Sequence, residues 1–367
     1  MCFSRRVVTL AAASATMLSL LVGADAGAAP SDPPVAPRSE RGPSQPINGV
    51  AGVVVRGRGT FPGIDGLLYS LSPVMVPGAN GTFYYGEEFD AACAYGRKLE
   101  KALRQLSRLA HTIERSGRRV VFTVAPNKSA VDTADLPEVL PHGYCDALGI
   151  SQQDEQLDRF RDPSYIQLRS KLAEQAKAGA DVYWHIDTHW TTVATTQYAR
   201  AVAHELSPKV ARFQTYRLGQ ETILVDMSYL GILPKTYETG PAHITTTKVQ
   251  VHPAAGSKAY DPSVVIAPDL AWNAAPARRT WGGHTLLIGD SFTYRGLASL
   301  MPVFRHGRFL WTNNVGNSTI INAIPEADTV VIEMVQRYLG SSILVSSDFR
   351  RAVAQSIEEY DRARLAS

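Results

Sequence analysis

The chain has 367 residues, 45% of them hydrophobic and 19% charged, enough to bury a substantial core in one large domain, or in one domain with a small appendage. Its formal net charge is +3 and its sequence pI is near 8.7. Lys and Arg are spread along the chain with no basic block, which argues against a nucleic-acid partner.

Arg5 and Arg6 precede an apolar stretch from Val7 to Val22, followed by the A-x-A patterns Ala24-Asp25-Ala26 and Ala26-Gly27-Ala28. Residues 1–28 therefore read as an export signal peptide. Ser4-Arg5-Arg6 has a twin-arginine look, but Val8 and Thr9 match the usual continuation poorly, so the Sec or Tat route stays open. If uncleaved, the run would be a membrane anchor, although it is short for a bilayer span. The sequence has no other long apolar run, so the mature chain is expected outside the cytoplasm: periplasmic, in the cell envelope or secreted. Residues 29–49, with Pro30, Pro33, Pro34, Pro37, Pro43 and Pro46, read as a disordered linker. The globular domain is expected over 50–367. Cys2 lies in the signal region, leaving Cys93 and Cys145, an even pair for an oxidising compartment. A disulfide between them is expected, tying the start of a helix to a loop after a strand; two buried free thiols are the alternative.

Leu99, Leu103, Leu106, Leu109 and Ile113 recur at helical spacing, which predicts an amphipathic helix over 91–116. A buried strand follows over 120–125. A helix over 164–178, a strand over 182–186 and a helix from Thr191 or Thr192 to about Leu206 come next. The stretch 207–283 is hard to read, with strand-like text at 245–251. Strands are then expected at 285–288, 309–311 and 329–332, with helices near 295–305 and over 349–365. This alternation predicts an α/β fold with a parallel-rich sheet sandwiched by helices.

Two short strings carry chemistry. Asp187-Thr188-His189-Trp190 follows the run Val182–Ile186, and Gly289-Asp290-Ser291 follows Thr285–Ile288. In extended backbone, residues two apart share a face, so the Asp187 carboxylate can steady the His189 imidazole. Ser291, between a strand and helix-like sequence, can place its hydroxyl and N–H at a helix start. Each string alone also reads as a cap or turn. Together they offer an activated serine nucleophile. Among themselves, His185, His243, His252, His284 and His306 show no H-x-x-x-H spacing, there is no C-x-x-C, and no glycine-rich phosphate loop is present. No metal and no cofactor are expected.

These strings resemble the SGNH-hydrolase-like domain of alginate O-acetylation proteins, the AlgX/AlgJ type, in which D-x-H precedes the serine block, the reverse of the usual SGNH order. Val76–Tyr84 is similar to that family's early "G-x-x-G-W-L-F" segment, with Thr82 where Trp is usual. Val124-Ala125-Pro126-Asn127-Lys128 resembles its "P-x-K" strand end. Val331–Tyr338 resembles its "E-x-x-E-R" segment, with Gln336 in place of the second acid. The likeness runs from about Val76 to Leu339, with 207–283 unmatched.

The resemblance implies an SGNH-hydrolase-like, flavodoxin-like sheet with permuted motif order. It implies Ser291 as nucleophile, His189 as base and Asp187 as its orienting acid. The implied activity is transfer of acetyl, through an acetyl-serine, to hydroxyls of a cell-envelope or secreted polysaccharide, with an acetyl-donor membrane protein as partner. A carbohydrate acetylesterase shares every one of these residues, and a non-catalytic glycan-binding protein is a third reading. Trp190, Tyr294 and Trp311 are candidates to stack on sugar rings, or are core. Arg295 and Arg337 are candidates to hold an acidic glycan, or are ordinary ion pairs. Asn127 and Lys128 are expected to reach the pocket from a neighbouring strand end, and Glu333 to orient Arg337.

Overall fold

The structure is a computed structural model describing residues 59–64, 66–96, 98–261 and 267–366. The expected signal peptide and linker lie outside these residues. Seven strands form the central sheet, numbered here in chain order: β1 (Arg119–Ala125), β2 (Tyr165–Ile166), β3 (Gln250–Pro253), β4 (Asp269–Ala275), β5 (Trp281–Gly289), β6 (Phe304–Trp311) and β7 (Thr329–Val335). Their order across the sheet is β2-β1-β7-β5-β6-β4-β3. The pairs from β2 through β6 are parallel, and β4 and β3 add an antiparallel edge.

The central strands are nearly continuous apolar runs because both faces are covered. On β1, Val121 and Ala125 enter one core while Val120, Phe122 and Val124 enter the other; on β7, Val331 and Val335 oppose Val330, Ile332 and Met334. The period of two thus feeds two cores at once. We number the principal helices α1 (Gly86–Tyr95), α2 (Leu99–Glu114), α3 (Tyr144–Arg159), α4 (Arg169–Lys177), α5 (Thr192–Leu206), α6 (Ser291–Leu300) and α7 (Ser347–Ala366). Helices α5 and α6 supply apolar side chains to the first core, α2 and α7 to the second. No helix among the described residues is long and apolar enough to cross a membrane.

Several elements differ from the sequence reading. The helix expected over 91–116 is two helices, α1 and α2, separated around Gly96. The apolar stripe belongs to α2 alone. The helix expected over 164–178 begins only at Arg169, because Tyr165 and Ile166 pair with Phe122 and Thr123 as an edge strand. Helix α3 was missed. Cys93 and Cys145 are bonded, with Cα atoms 5.2 Å apart, but the bridge joins α1 to the first turn of α3 rather than a helix to a loop. These helices cross closely: a Cβ on Gly149 would lie 2.3 Å from the Ala92 carbonyl oxygen.

The run 182–186 is not a sheet strand. Thr191 N–H donates to the Val182 carbonyl at 3.0 Å and Trp184 N–H to the His189 carbonyl at 3.3 Å, closing a hairpin-like loop on an isolated Tyr183–Trp190 bridge. The unreadable middle of the chain contains a long antiparallel ribbon, Tyr216–Leu224 with Tyr237–Thr245, registered from Tyr216 opposite Thr245 to Leu224 opposite Tyr237.

Candidate active site

Ser291 is the first residue of α6, immediately beyond the carboxyl end of β5, where parallel sheets collect their ligands. Asp290 caps the helix: its Oδ1 accepts the Phe292 N–H at 2.8 Å and its Oδ2 accepts the Val335 N–H at 2.7 Å, tying the turn to β7. Gly289 is required by space, since a Cβ there would sit 2.4 Å from Thr293 Oγ1 and 3.2 Å from Glu333 Oε2. The fully buried Glu333 accepts the Thr293 N–H at 3.1 Å and its hydroxyl at 2.7 Å. It therefore supports the serine turn. Burial, reinforced by the Asp290 carboxylate, pushes Glu333 well above the usual carboxylate range.

Across from Ser291, His189 Nε2 lies 2.8 Å from Ser291 Oγ, and His189 Nδ1 lies 2.8 Å from Asp187 Oδ1. The same Asp187 oxygen accepts the His189 backbone N–H at 2.8 Å. This is a side-chain turn two residues long, so a bent loop achieves what extended backbone was expected to do. Burial alone would raise the Asp187 carboxyl and lower the imidazole. The charge and hydrogen bond each lends the other outweigh it, leaving Asp187 lowered and His189 raised. The His189 ring also packs against Phe292, with centroids 5.0 Å apart.

Three distant segments hold the loop. Lys128 Nζ, fully buried, donates to the carbonyls of Phe83 (2.7 Å), Trp184 (2.6 Å) and His185 (2.7 Å). Glu238, on the ribbon, accepts the His185 N–H at 2.6 Å and the Ile186 N–H at 2.9 Å. Asp226, at the ribbon's turn, accepts the Thr188 N–H at 3.2 and 3.3 Å to its two oxygens. Asp226 Oδ2 also lies 3.3 Å from His189 Nδ1. The sequence reading missed both ribbon acids; only proximity in the fold marks them.

Other expected site residues fall differently. Lys128 uses its three protons on carbonyls, so it secures the loop instead of reaching a ligand. Asn127 is buried, with its N–H on Gln336 Oε1 at 3.0 Å and its Oδ1 on the Arg337 N–H at 3.2 Å. Trp190 is 1% exposed and donates its indole N–H to the Phe292 carbonyl at 3.0 Å, so it has no face for a sugar. Tyr294 is also buried, stacked on the half-buried Trp311 at 5.2 Å. Arg295 lies 3.6 Å from Asp187 Oδ2 and is partly exposed. Arg337 is buried among Tyr85, Phe292 and Tyr338, each ring 5.2–5.3 Å from its guanidinium, and reaches Glu88 only at 3.8 Å. Glu333 bonds Thr293 and not Arg337 as expected.

Asp187, His189 and Asp226 place their ligand-type atoms within 4.8 Å of one another. Their lone pairs are directed at N–H and O–H donors of Thr188, His189 and Asp226 itself. The cluster is thereby satisfied as a hydrogen-bonded unit.

A seven-strand, mostly parallel sheet between helix layers, with a serine turn and an Asp-x-His loop meeting at its carboxyl edge, defines an SGNH-hydrolase-like protein. Residues 75–263 match the SGNH hydrolase-like domain of acetyltransferase AlgX, and the chain belongs to that family of acyltransferases. Ser291 lies beyond the matched residues. Over 137 residues the chain is 26% identical to the probable alginate O-acetylase AlgJ of Pseudomonas putida, covering 37% of this chain and 34% of that protein. The chain thus matches about a third of that curated relative's length. Among solved structures, the O-acetyltransferase domain of P. putida AlgJ is 18% identical with a TM-score of 0.43, covering 77% of this chain and 99% of that one. Bacillus cereus PatB1 is 14% identical with a TM-score of 0.48, covering 68% and 93%. Pseudomonas aeruginosa AlgX is 13% identical with a TM-score of 0.42, covering 77% and 66%.

Proposed function

We propose that this protein is an exported O-acetyltransferase that carries acetyl on Ser291 and delivers it to hydroxyls of a cell-envelope or secreted polysaccharide. The observation that carries the reading is that one imidazole bridges hydroxyl and carboxylate through different nitrogens, each contact 2.8 Å long. Nδ1 faces carboxylate oxygens, so it holds the proton and leaves the Nε2 lone pair to Ser291.

Ser291 Oγ attacks the carbonyl of a donor acetyl ester while His189 Nε2 takes its proton. The C–O bond to the donor alcohol breaks as His189 returns that proton to the leaving oxygen, giving acetyl-Ser291. A sugar hydroxyl then gives its proton to His189 and attacks the acetyl carbon; the bond to Ser291 Oγ breaks as His189 passes the proton to that oxygen, restoring the hydroxyl and the neutral imidazole. The N–H groups of Phe292 and Thr293 are engaged by Asp290 and Glu333. The Ser291 N–H, at the helix start, is our candidate to receive the oxyanion. An acetyl-donor membrane protein and a periplasmic or envelope location complete the proposal, with the expected export signal as their support.

Mass spectrometry of the protein after exposure to an activated acetyl ester is expected to find acetyl on the Ser291 peptide. Added oligosaccharide should discharge it to acetylated sugar. A folded protein that never acquires the adduct overturns the reading, and discharge only to water makes it an esterase.

A further inference from the structure

We propose that Asp226 is a positioning residue for this reaction, a second carboxylate that faces His189 Nδ1 beside Asp187 and locks the histidine loop to the ribbon. The inference rests on the serine mechanism above but adds a group outside the Asp-His-Ser set.

Asp187 and Asp226 are 39 positions apart in sequence and interlock reciprocally. The Asp226 N–H donates to Asp187 Oδ2 at 2.7 Å. In return, the residue between Asp187 and His189 gives Asp226 two donors: Thr188 N–H, and the Thr188 hydroxyl, which bonds Asp226 Oδ2. That same Oδ2 lies 3.3 Å from His189 Nδ1, against 2.8 Å for Asp187 Oδ1. Nδ1 therefore hydrogen-bonds Asp187 and has the Asp226 carboxylate beside it, with Thr188 Oγ1 3.4 Å away between the two acids. Both acids are almost wholly buried, Asp187 1% and Asp226 9% exposed, so neither charge is well screened by water.

The imidazolium formed when Ser291 loses its proton is thus met by two negative groups, not one. Other charges around this centre are Arg295 of α6 beside Asp187, Lys128 beyond β1 and Asp290 at the end of β5. Arg295 and Lys128 offset the acids, which makes the second carboxylate useful: it keeps the balance at His189 in favour of the protonated ring. Asp226 also stands in a segment with its own local core, Val225 and Met227 packing with Met75 and Ile186. Its position relative to the loop is therefore fixed by packing as well as by hydrogen bonds.

The test compares the full chain with Asp226→Asn and Thr188→Val, the latter removing the hydroxyl that holds Asp226 and that also lies 3.4 Å from His189 Nδ1. Asp226→Asn keeps an oxygen for Thr188. It is expected to lower kcat about 10-fold with KM within about twofold, and to move the acid limb of the pH–rate profile downward by about half a pH unit. Thr188→Val should move both in the same direction by less. Asp187→Asn should retain a residual rate that falls about 10-fold further when Asp226→Asn is added. NMR titration of the His189 ring should show the same downward move, with no need of turnover. An unmoved ring titration and acid limb in folded Asp226→Asn, or in Thr188→Val should the former not fold, overturn the proposal, even if the rate drops. A wild-type protein with no Ser291-dependent turnover would sink the serine mechanism instead, while the ring titration still decides the role of Asp226.

Discussion

Among the described residues, two serine–histidine–aspartate clusters set a serine hydroxyl against an imidazole, and only one is arranged for chemistry. At the candidate active site, His189 gives one nitrogen to Asp187 and the other to Ser291. Near the disulfide, Ser72 Oγ lies 2.8 Å from His142 Nε2, and Asp90 Oδ1 lies 3.0 Å from the same nitrogen. Asp90 also accepts the Ser72 N–H at 2.8 Å. Serine and carboxylate there compete for one ring position, so no path exists for a proton from hydroxyl to imidazole backed by charge on the far side. Ser72 is 1% exposed and follows a short strand, not a helix start. Phe61 packs edge-on against the His142 ring at 5.3 Å. The same three residue types thus make a buried brace in one place and a candidate relay in the other. The difference is which nitrogen meets which partner.

The comparison is broken most directly by paired serine substitutions. Ser291→Ala should reduce kcat/KM by roughly 10⁴-fold with the fold intact, while Ser72→Ala changes it less than about threefold. Equal losses in a steady-state assay would erase the distinction.

Removing the bridge beside the second cluster tests whether that region is structural. It spans 52 positions, so Cys93→Ser with Cys145→Ser should cost about 3–4 kcal/mol in denaturant unfolding. Acetylation of Ser291 by an activated ester should persist in the folded fraction.

The two regions should also answer pH in opposite senses. His189 must be neutral to accept the Ser291 proton. Burial lowers its pKa, but Asp187 and Asp226 outweigh that and raise it. Turnover should therefore fall as pH drops through a value above the usual imidazole one. In the second cluster, Asp146 accepts the His142 N–H at 2.7 Å. Burial, opposed by His142 and aided by Asp90, pushes its carboxyl up to about 6. A carboxyl raised on folding stabilises fully below its unfolded value, and that stability is lost as pH rises through about 6. Thermal unfolding from pH 4 to 7 should show a decline of order 2 kcal/mol that Asp146→Asn largely removes. The smallest effect belongs to Ser72→Ala, expected to cost about 1–2 kcal/mol for one buried hydrogen bond, with the pH–rate profile unchanged.

Much of the fold was legible because it rests on local patterns. The apolar runs of β1, β5 and β7, the stripe of α2 and the Thr191 cap of α5 follow from side-chain period and capping chemistry. Asp187, His189 and Ser291 stood out because each sits where an apolar run stops. The sequence misled where context overrode pattern: Val182–Ile186 is apolar enough for a strand, yet it closes on itself in a loop buried against Lys128 and the ribbon.

By itself, the order of residues determined a two-faced sheet and named three candidate site residues, because hydrophobic period and element ends are local properties. Only the tertiary structure decided that Asp226 and Glu238 hold the histidine loop, that Lys128 spends its charge on carbonyls, and that Ser72 is a brace. Those assignments depend on groups brought together across 38 to 70 positions, and no local pattern encodes which distant donor will meet which acceptor.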